Sequence, residues 1–282
     1  MPDANSVPEH FVQKYSARTL VTWQQKASKM RMACAIDEEV DGESKTFPRY
    51  GKGEAGKKTR AGDVPVMNID HTNRKAIMED WYAGEYIGKL DAKKMNNTGE
   101  VNRAADAGAY AMGRKVDDTI RDAAMLALPG TQILGDFSTG MTVDLALLGV
   151  EKIQESEAPE DGQIYSYVSN RQWSRLMKHE EFSHGDRVND VPWLENRDHR
   201  RWLGCTWIRH NRLYKLGNNV SCLMWHRDAM GYGENSPIET DISWVGQKQE
   251  HFAANSMSGG ATRIWDEGVV QFDLNDAAPL TL

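Results

Sequence analysis

The chain of 282 residues contains only three cysteines, Cys34, Cys205 and Cys222, and no two of them form a CxxC pair. Such a set argues against a disulfide framework and a zinc knuckle, so we expect reduced, partly buried thiols. No apolar run approaches the ~18 residues that a membrane helix needs, which predicts a soluble protein. The first ten residues are polar and lack the apolar core of a secretory signal, which predicts folding in a cytoplasm.

An excess of positive charge is also lacking, since the formal net charge is -7. Proteins that coat nucleic acid bind phosphates through clustered lysines and arginines, so this balance disfavours that class. With 40% hydrophobic and 27% charged residues, the composition is that of an ordinary globular protein. The length favours two lobes that share a continuous core.

An acidic run at residues 37–43 is followed by a basic, glycine-rich segment at residues 44–62. The glycines and Pro48 interrupt regular structure, which predicts a long extended loop. Apolar residues on both sides fit strand-like limbs, so we predict a protruding hairpin at residues 43–72, and loops of this length commonly have a function. The apolar limb positions are Phe47, Tyr50, Val64, Val66 and Ile69, and the cations are Lys45, Arg49, Lys52, Lys57, Lys58 and Arg60.

Three interpretations fit this cationic arm. A run of cations is most often a solvated face, and it is sometimes a nucleic-acid contact. Because acidic segments lie at residues 37–43 and 155–161 of the same sequence, the arm is also suited to lie on an identical neighbour, where complementary charge would steer and register assembly.

The clearest helical pattern runs from Asn97 to Leu128, where apolar residues recur every three or four positions. Asn97 is suited to cap the N-terminus with Glu100 three residues later, and Pro129 with Gly130 ends the helix. About 30 residues at ~1.5 Å each predict a rod of ~45 Å. The first half is rich in alanine and glycine, which lets another backbone approach closely.

The rest of the chain alternates between helical and strand patterns, which predicts an α+β fold without internal repeats. Asp266 and Glu267 before Gly268 indicate a closing hairpin, because Gly268 is suited to a left-handed turn position. The predicted elements are a helix at 143–153, a strand at 163–168, a short helix at 173–177, strands at 205–208 and 220–225, a helical turn at 227–230, and the closing hairpin at 261–274.

Two motifs resemble chemical sites. Residues 51–56 match GxGxxG, and with Lys57 they nearly match a phosphate-binding loop, but Lys58 occupies the hydroxyl position and no strand and helix flank the motif. His179 and His184 resemble a zinc-protease pair but stand five positions apart, which places them on different sides of a helix. We assign no catalytic residue, cofactor or metal ligand, and we keep two alternatives: a P-loop or metal-dependent hydrolase, and a DNA-binding protein.

Histidines and tryptophans are frequent between residues 173 and 244. The histidines lie among arginines without a third ligand or a general base, which predicts surface and core roles. The tryptophans alternate with aliphatic residues, which favours core or interface roles over stacking on a ligand. These residues are His199, His210, His226, Trp173, Trp193, Trp202, Trp207, Trp225 and Trp244.

The order of these features, an arm, a long hairpin, a rod-like helix, a mixed domain and closing strands, resembles the major capsid proteins of tailed bacteriophages with the Hong Kong 97 fold. The resemblance covers nearly the whole chain. The stretches that carry it are Gly42–Pro48 leading to Gly51, Asp91 before the long helix, Gly162–Arg175, Cys222–Gly231 and Met257–Leu274.

The resemblance implies a shell subunit without enzymatic activity, which forms the pentamers and hexamers of an icosahedral virion around double-stranded DNA. It implies an N-terminal arm at 1–42, an extended loop at 43–72, a peripheral domain at 73–128 and 240–282, and an axial domain at 129–239. The expected partners are further copies of the chain, a portal, and decoration proteins. No cofactor and no membrane are implied, and assembly is expected in the host cytoplasm.

The extended loop of this family lies over a neighbouring subunit. Carried over to this sequence, that role makes its six cations, from Lys45 to Arg60, the candidate inter-subunit contacts. The segment before the loop is about 40 residues, which is short for a fused scaffolding domain, so we expect a separate scaffolding protein. No motif identifies a pair of residues for covalent crosslinking between subunits.

Overall fold

A computed structural model of the chain describes residues 25, 27–38, 40, 42–60, 62–89, 100–179, 182 and 199–279. Within these residues the strands form a four-stranded sheet, a seven-stranded sheet and a separate two-stranded hairpin, accompanied by helices. This architecture confirms the predicted α+β class. Among the described residues, no helix is both long enough and apolar enough to cross a membrane.

The elements follow the chain in this order. The strands are β1 (Ala35–Asp37), β2 (Ser44–Tyr50), β3 (His71–Ile77), β4 (Glu79–Gly88), β5 (Ile133–Leu134), β6 (Ile164–Val168), β7 (His199–Trp202), β8 (Cys205–Arg209), β9 (Tyr214–Leu216), β10 (Asn219–His226), β11 (Met230–Val245), β12 (Glu250–Arg263) and β13 (Val269–Asn275). The helices are α1 (Glu100–Met125), α2 (Val143–Glu155) and α3 (Asn170–Leu176), with short 3-10 turns at Arg31–Ala33, Gly130–Gln132 and Arg227–Ala229.

Helix α1 is the predicted rod. Its buried stripe includes Met112, Val116 and Ile120, which follow the three-to-four spacing of the sequence pattern. The predicted cap Asn97 lies outside the described residues. At the other end, the guanidinium of Arg263 donates to the carbonyls of Ala124 at 2.8 Å and of Ala127 at 3.0 Å. These bonds satisfy carbonyls that have no partner within the helix.

The small residues of α1 allow the close approaches that the sequence predicts. A side chain at Gly108 would overlap Asn255 of strand β12, and one at Gly113 would crowd the backbone of Ala27 and Ser28. Glycine at both positions therefore lets a strand and the N-terminal segment pack directly against the helix.

The four-stranded sheet has the order β1-β11-β12-β4, and α1 covers one of its faces. Alternate residues of β12, namely Ala253, Asn255 and Met257, are buried on that side. The Nδ2 of Asn255 donates to the carbonyl of Ala105 at 3.1 Å. Because side chains alternate along a strand, the residues between these positions face the opposite side of the sheet.

The seven-stranded sheet has the order β5-β13-β10-β6-β8-β7, with β9 also paired to β10. Strand β10 is central, and all its residues from Val220 to His226 are buried. Helix α2 packs on this sheet where Gly149 lies against the ring of Phe272. The helix at 143–153, the short helix near 173 and the strands at 163–168, 205–208 and 220–225 are confirmed as predicted.

The closing hairpin predicted at residues 261–274 is wrong. Strand β12 pairs with β11 and β4, whereas β13 pairs with β10 and β5 in the other sheet. The turn between them is a crossing from one sheet to the other. Strand β13 lies inside the seven-stranded sheet and is almost entirely buried. The alternation of side chains within one strand does not indicate which strand it pairs with.

The sheets also depart from the predicted domain boundaries. The boundary at residues 239 and 240 falls inside the continuous strand β11, and β13, which the prediction groups with the long helix, belongs to the seven-stranded sheet. The chain crosses between the sheets at residues 227–229 and 264–268. The two crossings lie side by side, because the carbonyl of Ala229 accepts from the N–H of Ile264 at 2.8 Å.

Candidate assembly surface

The predicted extended hairpin is present. Strands β2 and β3 pair antiparallel from Ser44 opposite Ile77 to Tyr50 opposite His71, and residues 51–59 beyond them have no regular structure. The second limb lies later than expected, because Val64, Val66 and Ile69 precede β3 instead of forming it. Regular pairing ends where the N–H of Gly51 donates to the carbonyl of Asp70 at 2.8 Å, and further along the loop Pro65, which cannot donate to a strand ladder, lies against Gly56.

The base of the hairpin is fixed to the crossing between the two sheets by a small apolar cluster. Phe47 of β2 and Ala76 of β3 are buried together with Ile264. The ring of Phe47 also lies against Gly231 of β11, where an added Cβ would come within about 3 Å of it. The hairpin therefore leaves the fold from a packed base.

Charged residues reinforce the same anchor. Arg74 of β3 donates to Asp266 at 2.7 Å, and the other carboxylate oxygen of Asp266 accepts from Arg263 at 2.6 Å. The guanidinium of Arg49 lies 4.3 Å from the ring centroid of Trp265. Nothing local in the sequence indicated this anchor, because its partners are about 190 residues apart along the chain.

The six candidate cations fall into two groups. Those nearest the base have partners within the chain: Lys45 pairs with Asp37, Arg49 with Glu267, and Lys52 with Glu157 and the carbonyl of Ser156. Lys57, Lys58 and Arg60 are exposed and form no ion pair with any described residue. The structure therefore leaves three of the six cations available to another molecule.

The same part of the loop also exposes apolar side chains. Val64, Val66 and Met67 are 71%, 85% and 50% exposed. We call residues 57–60 and 62–67 the loop tip. It combines three exposed cations that have no ion-pair partner among the described residues with solvent-exposed aliphatic side chains.

A second exposed apolar surface lies on the four-stranded sheet, on the face opposite α1. Tyr82 and Tyr86 of β4 are 78% and 45% exposed, and the Tyr86 ring stacks on Phe252 of β12 with centroids 4.4 Å apart. Two exposed carboxylates of β11 lie on the same face of the sheet. Glu239 is level with Tyr82, and Asp241 is two positions further along β11, level with the residue between Tyr82 and Tyr86 on that face. We call these five residues the outer face. Alternation of Tyr82, Gly84 and Tyr86 in the sequence was the available signal for it, and the sequence analysis missed it.

The N-terminal segment is held by one buried carboxylate, Asp117 of α1. It accepts from the hydroxyl of Ser28 at 2.6 Å and from the backbone N–H groups of Lys29 and Met30, each at 3.0 Å to Oδ1. Its other oxygen lies 2.9 Å from Nε2 of the buried His210, which follows β8. A single side chain thus joins the N-terminal segment, the long helix and the seven-stranded sheet.

Hydrogen bonding determines the charge of this carboxylate. Burial alone would raise the pKa of Asp117, but the hydrogen bonds from His210, Ser28 and Met30 hold it below its usual value. The N–H of Arg212 donates to Nδ1 of His210, so we infer that Nε2 carries the proton that faces Asp117. The core role predicted for His210 is confirmed, whereas no sequence pattern pointed to Asp117.

The apparent chemical motifs do not come together as sites. No helix follows the glycine motif at residues 51–56, since residues 63–70 have no regular structure. His184 lies outside the described residues, so the pair with His179 is not described. Among the residues that the structure does describe, no group of three or more His, Cys, Asp or Glu side chains is placed to hold a metal ion.

The cysteines and most described tryptophans belong to the interior. Cys34, Cys205 and Cys222 are free thiols and fully buried, more deeply than the sequence suggested. Burial raises the pKa of Cys205 and of Cys222 to about 12. Of the predicted core or interface tryptophans, Trp202, Trp207 and Trp225 are buried, Trp173 is partly buried, Trp244 is exposed, and Trp193 lies outside the described residues.

Comparisons with known proteins agree with this architecture. The profile of a family described as phage capsid protein matches residues 7–275. No curated protein matches the sequence. The capsid of Ralstonia phage GP4 is similar in structure, with a TM-score of 0.70, 10% identity and coverage of 98% of both chains. The capsid of Cyanophage P-SCSP1u has a TM-score of 0.68 at 16% identity, with 96% of this chain and 94% of that chain covered.

The chain belongs to the phage capsid protein family. Its fold is the mixed fold of phage major capsid proteins, consistent with the Hong Kong 97 type that the sequence predicts. It is a major capsid protein, a structural component of the virion shell, and its family is one of structural proteins and not of enzymes. The hydrolase and DNA-binding alternatives have no support.

Proposed function

We propose that this capsid protein assembles into pentamers and hexamers that close into an icosahedral shell around double-stranded DNA. In this shell the extended hairpin makes the principal contact of each subunit with its neighbour. The observation that carries this proposal is the contrast between the two ends of the hairpin. Its base is packed and ion-paired within the chain, whereas Lys57, Lys58 and Arg60 at its tip have no described ion-pair partner. Each exposed pair contributes only about 0–1 kcal/mol, but repetition over a shell accumulates.

The sheets support a revised division of the chain. We propose that the four-stranded sheet and α1 form the peripheral domain, and that the seven-stranded sheet with α2 and α3 forms the axial domain. Under this division the axial domain includes residues 129–229 and the segment from Val269 onwards. From the family resemblance we further propose a separate scaffolding protein, a portal, possible sites for decoration proteins, and assembly in the host cytoplasm.

Charge reversal at the loop tip tests this proposal. We expect Lys57→Glu with Lys58→Glu to abolish closed particles in negative-stain microscopy, because like charges then face the neighbour, while circular dichroism of the subunit stays unchanged. The matched control, Lys57→Arg with Lys58→Arg, keeps the charge and should assemble normally. Normal particles from the reversed variant would remove the loop tip from the mechanism. If the unmodified protein forms only monomers under every assembly condition, the shell proposal itself fails.

A further inference from the structure

The guanidinium of Arg175, on helix α3, is buried and has no ion-pair partner in the part of the chain that the structure describes. We propose that Arg175, together with Arg171 one turn earlier on α3, binds a phosphate-type oxyanion. The proposed site is a property of the single subunit and does not depend on shell assembly.

The side chain of Arg175 is only 8% exposed. Its one hydrogen bond among the described residues runs from Nη2 to the carbonyl of Pro279, and its Nε is enclosed without a partner. A guanidinium carries five N–H donors and a permanent positive charge. The carbonyl satisfies one donor but leaves the charge unbalanced. Because a buried charge without a counter-ion is costly, an anion is the group that this environment lacks.

The nearest carboxylate that acts on Arg175, that of Asp276, is already occupied. Its Oδ1 accepts from the hydroxyl of Ser169 at 2.7 Å and from Nε2 of Gln172 at 2.9 Å. Its Oδ2 accepts from the ammonium of Lys215 at 2.7 Å. Asp276 therefore attracts Arg175 only through space and is not its counter-ion.

Arg171 adds a second positive charge on the same side of α3. Residues four apart on a helix are neighbours, and like charges at this spacing repel each other. Burial and the charge of Arg171 lower the pKa of Arg175, and the charge of Asp276 offsets them only in part. Arg171 is exposed and forms no ion pair with any described residue. An anion that reaches the helix from this side would relieve the repulsion between the two guanidinium groups.

Two adjacent guanidinium groups select the class of anion. Each group is planar and donates parallel N–H bonds to two oxygens of one acceptor, and a phosphate has enough oxygens and enough charge to engage both. Gly140 makes room for this arrangement, because an added Cβ would lie 2.3 Å from Nε of Arg175. Inorganic phosphate and the backbone of a nucleic acid present the same chemical group to such a site.

Titration calorimetry of the unassembled subunit with inorganic phosphate tests the proposal, with chloride at the same ionic strength as the reference. We expect saturable binding to the original protein. Arg171→Met should weaken it at least about tenfold, because a charge-assisted hydrogen bond is lost at an exposed position. Arg175→Met should abolish it. The matched control, Arg60→Met, removes an exposed arginine of the loop tip and should bind phosphate like the original protein.

Two further measurements examine the geometry and the source of the anion. Gly140→Ala displaces the guanidinium of Arg175 without removing its charge, and it should weaken phosphate binding while circular dichroism stays unchanged. A short single-stranded DNA is then added to the phosphate complex. Displacement of phosphate by the DNA would assign the site to a nucleic-acid backbone, and the absence of displacement would assign it to the free ion.

Heat of binding no larger with phosphate than with chloride would overturn the inference. Equally tight phosphate binding by the original protein and by Arg171→Met would overturn it as well, and this comparison decides the question even if Arg175→Met does not fold. The shell proposal is tested separately by the formation of particles, so the failure of one leaves the other standing.

Discussion

Asp117 shows how one side chain organises three segments that are far apart in sequence. The carboxylate is fully buried and its two oxygens accept from the N-terminal segment and from His210. Removing the acceptor of such a buried pair leaves its donors without a hydrogen-bond partner from either water or protein. The resulting loss of folding stability is larger than the net contribution of the intact pair. The N-terminal segment, which the sequence predicts to be an arm, is therefore tethered at its described residues by the long helix.

We expect Asp117→Ala to lower the free energy of unfolding by about 3–5 kcal/mol, because the donors of His210, Ser28 and Met30 lose their acceptor. Chemical denaturation of the unassembled subunit measures it. Asp106→Ala, at an exposed position of the same helix, is the matched control and should change stability by less than about 0.5 kcal/mol. Equal effects of the two substitutions would contradict the role of Asp117.

The pH dependence follows from the same carboxylate. Its folded pKa lies below 3.8, the value of a free aspartate, so its contribution to stability is complete above that value and is lost as the pH falls through the lower folded pKa. The stability difference between the original protein and Asp117→Asn should therefore shrink below about pH 4 and stay constant near neutrality. Denaturation curves at several pH values measure this difference.

At the scale of elements, the hairpin has a base that is packed against the rest of the fold and a tip without regular strand pairing. Phe47 joins β2 to Ile264 and to the backbone of Gly231, while Arg74 joins β3 to Asp266. These contacts place the hairpin base at the point where the chain crosses between its two sheets.

We expect Phe47→Ala to loosen the hairpin without unfolding the molecule, since it empties a small cluster separate from the main core. Loss of a buried phenylalanine ring costs about 3 kcal/mol or more. Hydrogen exchange should accelerate in β2 and β3 and stay slow in β10. Thr46→Ala, at an exposed position of the same strand, is the control and should leave the exchange of all three strands nearly unchanged.

At the scale of the whole molecule, one hydrophobic cluster extends from the N-terminal segment through α1 into the seven-stranded sheet. Its members include Cys34 near the N-terminal segment, Ile120 of α1 and Phe272 of β13. A core continuous across both lobes favours a single cooperative unfolding event, which suits a subunit that must survive as one rigid unit in a shell.

The three buried thiols report on this cooperativity. We expect Cys34, Cys205 and Cys222 to react with a maleimide at pH 7 only as fast as the whole molecule unfolds, and at one common rate, because burial raises the pKa of each thiol. Mass spectrometry of peptides over time measures the three rates. Val66→Cys, in the exposed loop tip, should label at once and serves as the control. A fast reaction at one native cysteine would show that its lobe opens separately.

Much of the local structure follows from patterns over a few residues. Side-chain spacing predicts the buried face of α1 and the strand β2, and the backbone restriction of Pro129 ends the helix. Both effects depend only on residues that are close in sequence. The order of these elements also carried the resemblance to capsid proteins, which the family match confirms. The loop cations were recognisable as a group, but their division into partnered and free ones was not.

By itself, the sequence determined the class of fold, the family and the presence of a long cationic hairpin, because these depend on periodicity, composition and order along the chain. Only the tertiary structure decided that β13 joins the other sheet, that Asp117 meets His210, and that Tyr82 and Tyr86 share a face with Glu239. The physical reason is that strand pairing and burial are decided by contacts between distant residues, and alternation within one strand leaves its partners undetermined.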